Sequence, residues 1–117
     1  GGGAMVFTSS FVGTSCVLPN MGAYGCAKAA LSALAKSITA DYAAQGIRAN
    51  ALLPGGTDTE MMSADPQQRA WAEGLHAVKR IARPEEIAAA ILFLVSPMSS
   101  FITGAAIPAD GGNSAVK

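Results

Sequence analysis

The chain has 117 residues, of which half are hydrophobic and 14% are charged, and its formal net charge is zero. This composition excludes a disordered chain and gives no electrostatic footprint for nucleic acid or an anionic membrane. The longest apolar run, residues 87–95, is too short to span a bilayer, and the two cysteines and single histidine have no metal-ligand spacing. We therefore expect one cytoplasmic domain over residues 1–117, with no metal, nucleic-acid or membrane partner.

The first half of the chain reads as strand, loop and helix. Residues 4–9 form an apolar run after three glycines, which predicts a strand of a parallel sheet. Residues 10–22 are rich in Ser, Thr, Gly, Pro and Asn and predict a loop. Residues 23–44 have helical spacing, and Gly46 is a suitable stop. The apolar stripe of this helix consists of Ala27, Leu31, Leu34, Ile38 and Tyr42.

The second half predicts strand, two helices and strand. Residues 47–53 form a second strand, which Pro54-Gly55-Gly56 closes. A short helix should start at Asp65-Pro66 and run to Leu75, and another should span residues 84–96 because proline and acid favour the first helical turn. Residues 105–109 predict a third strand. The buried face of the later helix should consist of Ile87, Ile91, Leu94 and Val95.

This alternation predicts an α/β fold, a Rossmann-like three-layer α/β/α arrangement with a parallel sheet and right-handed crossovers. Three strands make only part of such a sheet, and the chain opens on a strand with no element before it. We therefore expect a piece of a larger fold.

Three groups of residues are candidates for chemistry. Tyr24 and Lys28 are four apart on a helix, so they share one face. A phenol ordinarily keeps its proton to about pH 10, and an ammonium one turn away favours the phenolate. Ser9 and Ser10 follow the first strand, where parallel sheets bind ligands. The turn at residues 54–59 permits a flat ligand to approach closely. Taken alone, the Tyr24–Lys28 pair is also compatible with an ordinary helix surface, the two serines with a local backbone cap, and residues 54–59 with a plain turn.

Together, the motifs resemble the classical short-chain dehydrogenases/reductases along essentially the whole chain. That family has Ser, a loop and Tyr-x-x-x-Lys, then Ile-Arg-x-Asn, Pro-Gly-x-x-x-Thr, Arg-x-x-x-Pro-Glu-Glu-Ile-Ala, and Phe-Ile-Thr-Gly before Asp-Gly-Gly. This chain has the five motifs in that order, at residues 9–30, 47–50, 54–59, 80–88 and 101–112. The resemblance implies the C-terminal catalytic half of a Rossmann-fold enzyme, because the family's glycine-rich phosphate loop has no counterpart in this sequence.

The resemblance also implies roles for individual residues in hydride transfer between NAD or NADP and a small alcohol or carbonyl compound. Ser10 would hydrogen-bond the substrate oxygen. Tyr24 would be the acid in reduction and the base in oxidation. Lys28 would favour the phenolate and bind the nicotinamide ribose. The cofactor-binding set is Tyr24, Lys28, Pro54, Gly55, Thr57 and Thr59, with both threonines near the carboxamide.

Other residues leave alternatives open. Residues 60–79 resemble the family's variable substrate loop, in which Met61, Met62 and Trp71 line a lid or simply pack. His76 lacks the context of a catalytic triad, and Cys26 reads as a small buried packing residue.

The family usually forms dimers or tetramers, so we expect a homo-oligomer. A non-catalytic folding or oligomerisation module is the alternative function. The sequence leaves open the substrate, the choice of NAD or NADP, and whether this chain acts alone.

Overall fold

The computed structural model describes residues 1–62 and 64–116. Their sheet has three parallel strands in the order β1-β2-β3. These are β1 (Gly3–Thr8), β2 (Ile47–Pro54) and β3 (Ala106–Ala109). The three predicted strands and their parallel arrangement are therefore confirmed.

The helices also lie close to their predicted positions. They are α1 (Phe11–Thr14), α2 (Gly22–Tyr42), α3 (Pro66–Gly74) and α4 (Pro84–Val95), with short 3-10 turns at Ala43–Gln45 and Pro97–Ser99. The predicted loop over residues 10–22 contains one irregular helical turn, α1, in which the Ser10 side chain accepts the Val12 N–H while Val12 and Gly13 have non-helical backbone angles.

The helix ends follow the capping residues that the sequence predicts. The Asp65 side chain accepts the Gln67 N–H, and Pro66 occupies the first turn of α3. After α2 and its 3-10 extension, Gly46 adopts a left-handed φ of 81° and ends the helical segment.

The helix α2 packs on the rest of the chain through small residues and through part of its predicted apolar stripe. Gly25, Ser32 and Ala35 are its buried residues, and Ala35 joins a core with Ala49 and Ala51 of β2. Stripe members Ala27, Leu34 and Tyr42 are exposed instead. Ile38 of the stripe packs against that core, so hydrophobic periodicity identifies only part of the buried face.

The helix α4 lies on the opposite face of the sheet. Successive side chains of a strand point to opposite faces, and the Arg48 guanidinium, next to Ala49, donates to the Ser96 carbonyl just after α4. Both crossovers step the same way across the sheet while covering opposite faces, so they have opposite hands. The expectation of right-handed crossovers throughout is therefore wrong. Leu94 is buried as predicted, whereas Val95 is exposed.

Within the described residues, no helix is both long and apolar enough to cross a bilayer.

Candidate active site

The predicted site residues meet where β1 and β2 end. These strands are parallel, with Thr8 beside Leu52, so the segments that follow them leave the sheet at the same edge. A cleft of about 580 Å³ opens there. Five of the predicted site residues line it, namely Ser10, Tyr24, Gly55, Thr57 and Thr59.

The two serines after β1 have different roles in the structure. The buried Ser9 donates its hydroxyl to the Lys28 carbonyl at 2.7 Å, which ties the end of β1 to α2. The Ser10 Oγ accepts the Val12 N–H at 3.1 Å. Among the described residues the Ser10 hydroxyl proton has no acceptor. Ser10 can therefore donate a hydrogen bond into the cleft.

Lys28 lies beside Tyr24 and outside the cleft lining. Its Nζ is 5.6 Å from the centroid of the Tyr24 ring and donates to the Thr8 carbonyl at 3.1 Å. An ammonium has three N–H donors, so two remain for another acceptor. Tyr24 is 44% exposed, which leaves its ring accessible from the cleft.

The segment after β2 forms a wall of the cleft through its backbone. Gly55 N–H donates to the Ala109 carbonyl of β3, at 3.1 Å. Ala82 forms two backbone hydrogen bonds with the residues that follow. Its N–H donates to the Gly56 carbonyl at 2.8 Å, and its carbonyl accepts the Asp58 N–H at 2.9 Å. Pro54 is the last residue of β2 and does not line the cleft.

His76 holds this wall against α3, a role that the sequence did not reveal. It is 2% exposed, and its Nε2 accepts the Gly56 N–H at 2.9 Å while Nδ1 lies 2.8 Å from the Ala72 carbonyl. Both bonds require a neutral ring with its proton on Nδ1. A Cβ at Gly55 would lie 2.5 Å from Nε2, so glycine is needed for this contact. His76 lies in a polar segment of the sequence that contains no recognised motif, so the sequence did not indicate this role.

An ion pair makes a second connection between α3 and the wall. Arg69 donates to Asp58 at 3.1 Å. This hydrogen bond and the accompanying attraction lower the pKa of the Asp58 carboxyl. Both groups are therefore charged and paired with each other near neutral pH.

The proposed lid borders the cleft. Met61, Met62 and Trp71 all line it, and Met61 is 96% exposed. Ser63 of the same segment lies outside the described residues. Cys26 is exposed, so its interpretation as a buried packing residue is wrong.

Within residues 1–62 and 64–116, no three His, Cys, Asp or Glu side chains are grouped to hold a metal ion.

Known proteins match this chain along nearly all of its length. A family model described as enoyl-(acyl carrier protein) reductase matches residues 1–114. The cis-4-hydroxycyclohexanecarboxylate dehydrogenase of Sinomonas cyclohexanicum is 43% identical over 99% of this chain and 47% of its own length.

Two solved structures agree with the sequence matches. Thermoplasma acidophilum aldohexose dehydrogenase superposes with a TM-score of 0.89 and 35% identity, over 97% of this chain and 49% of that protein. Angucycline C-6 ketoreductase LanV with bound NADP gives a TM-score of 0.88 and 32% identity, over 95% and 43%. The chain thus spans about half the length of the relatives it matches. It has the Rossmann-like fold of these enzymes and belongs to the short-chain dehydrogenase/reductase family.

Proposed function

We propose that the chain is the catalytic part of an oxidoreductase that transfers hydride between NAD or NADP and a small alcohol or carbonyl compound. The observation that carries this proposal is the shared cleft of Ser10, Tyr24 and Thr57, with the Lys28 ammonium beside the tyrosine ring. A hydroxyl donor, a phenol and a fixed cation are the groups that such a reaction needs for its oxygen and proton.

In the reduction, the Ser10 hydroxyl donates to the carbonyl oxygen of the substrate and stabilises the negative charge that develops there. The Tyr24 hydroxyl transfers its proton to that oxygen, and in oxidation the phenolate takes the proton back. The positive charge of Lys28 stabilises the phenolate in either direction. The bonds of Ser9 and Lys28 to neighbouring carbonyls hold α2 in position for these steps.

The residues present fit the nicotinamide end of a cofactor. Lys28 uses one of its three donors on Thr8, so two suit the ribose hydroxyls. Thr57 and Thr59 give the cleft wall hydroxyl groups, and Gly55 leaves the backbone accessible. When bound, the nicotinamide supplies or accepts the hydride. The adenosine end has no binding motif in this sequence, so we propose that another segment binds it.

The remaining assignments are also proposals. The relatives named above include dehydrogenases of a hydroxycyclohexanecarboxylate and of an aldohexose and a ketoreductase of an angucycline, which supports a small-molecule alcohol or ketone as substrate. A homo-oligomer and a cytoplasmic location follow from the family resemblance and the composition. A purely structural module is less well supported, because Ser10 and Tyr24 share a cleft and Lys28 lies beside the tyrosine ring.

Turnover by matched tyrosine variants tests the proposal. NADPH consumption with a ketone would be measured for the chain alone and with the N-terminal half of a relative added. We expect activity only in the mixture, with Tyr24→Phe reducing it by at least about 10²-fold. The control is Tyr42→Phe, which changes an exposed tyrosine of the same helix. Equal activity of the two variants would refute the role of Tyr24.

A further inference from the structure

We infer that the substrate end of the cleft selects a neutral, largely apolar alcohol or ketone and rejects carboxylates and phosphates. This inference rests on the proposed function, which assigns the Ser10 and Tyr24 end to the reacting oxygen. It adds the chemical class of the remainder of the substrate. The cleft volume of about 580 Å³ is typical of a site for a small organic molecule.

The surface beyond the catalytic hydroxyls is apolar. Its large side chains come from the loop before α2, from the segment between β2 and α3, and from α3 and the residue after it. They are Leu18, Met21, Met61, Met62, Trp71 and Leu75. Met61 and Trp71 are 96% and 59% exposed, so an apolar ligand would remove their side chains from water. Methionine side chains adapt to irregular shapes, which suits a hydrophobic ligand better than a hydrated one.

No described residue that lines the cleft carries a charge. His76 lines it, but its bonds to Gly56 and Ala72 require the neutral ring. Arg69 is paired with Asp58 at 3.1 Å and does not line the cleft. At the end of the cleft away from Tyr24 and Lys28, an anionic group would therefore lose hydration without gaining a cation, which is costly. A neutral group avoids this cost.

Gln68 of α3 is the polar side chain at this end of the cleft. An amide both donates and accepts hydrogen bonds, so it can bind a second hydroxyl or carbonyl group of a neutral substrate. It cannot neutralise a carboxylate. Gln67, the preceding residue, is exposed and lies outside the lining, which provides a matched control position.

Ligand binding to the full chain tests this inference without cofactor or turnover. Trp71 is the single tryptophan of the chain and lines the cleft, so its fluorescence reports occupancy. The probes are 4-tert-butylcyclohexanone and 4-oxocyclohexanecarboxylate, which share a ring ketone and differ at the far end. We expect the neutral ketone to bind at least tenfold more tightly. Equal or tighter binding of the anion, or no response to either ligand, would overturn the inference.

Introducing a positive charge at one position then tests whether the preference arises in the cleft. Gln68→Arg should reduce the preference for the neutral ketone at least tenfold, whereas Gln67→Arg adds the same charge outside the cleft and should leave it unchanged. Equal effects of the two variants on this preference would show that it does not arise from the apolar end of the cleft, and would overturn the inference. Failure of the Tyr24→Phe test would reject the proposed reaction yet leave this binding preference measurable. Loss of the preference would leave the tyrosine result intact.

Discussion

Replacing His76 with alanine should destabilise the chain by about 2–3 kcal/mol. The substitution removes the only described acceptor of the Gly56 N–H, and a buried donor without a partner costs about 1–3 kcal/mol. The Ala72 carbonyl loses less, because it still accepts the Leu75 N–H at 3.2 Å. The ring is almost fully buried, so its removal also leaves a cavity that adds about 1 kcal/mol.

Denaturant unfolding followed by Trp71 fluorescence would measure this loss of stability. His76→Gln is the matched control, because its amide oxygen can accept the Gly56 N–H from a similar depth. We expect glutamine to recover at least half of the free energy lost with alanine. A loss below about 0.5 kcal/mol for His76→Ala, or equal losses for both variants, would show that the bond to Gly56 does not hold the wall.

Two further predictions concern hydrogen bonds elsewhere in the chain. Ser9→Ala and Ser10→Ala should each lower the unfolding free energy by about 1 kcal/mol, since each removes one side chain–backbone bond. Only Ser10→Ala should lower turnover in the complemented enzyme more than tenfold, and comparable turnover losses would contradict the assignment. The Arg80 side chain first and the Arg83 N–H next lower the pKa of Glu86 from 4.5 to about 2. The folded state therefore favours the carboxylate, and the stability it contributes is present above pH 4.5 and lost as the pH falls to about 2. Acid titrations should then show Glu86→Gln less stable than the parent at neutral pH and equal to it near pH 2, and a constant difference would contradict this.

The order of the elements could be predicted because local chemistry determines them. Proline and acid begin α4, Asp65 caps α3, and Gly46 ends the α2 segment with its left-handed conformation. Ser10 could be placed at the ligand-binding edge of the sheet because it follows a parallel strand. These inferences need only neighbours in sequence and the topology of the sheet, whereas the pairing of Ser10 with Tyr24 came from the family resemblance.

Features that depend on contacts between distant segments could not be predicted. The bond between His76 and Gly56 joins residues 20 positions apart, and neither local pattern specifies the other. The buried face of α2 depends on close contacts with distant residues: Ala35 packs on Ala49 and Ala51, and Gly25 lies against Gly13 and Val17. The position of α4 on the sheet likewise involves distant segments, since the Arg48 guanidinium donates to the Ser96 carbonyl 48 positions along the chain.

The bonds that position the candidate catalytic groups all lie within the described residues. Ser9 and Lys28 tie α2 to the end of β1, and His76 ties the wall to α3. None of these bonds requires a strand beside the other edge of β1. An added N-terminal half should therefore supply a binding surface for the adenosine end without rebuilding the cleft. The affinity of the Trp71 site for a neutral ketone should then be similar with and without that half, while NADPH binding should depend on it.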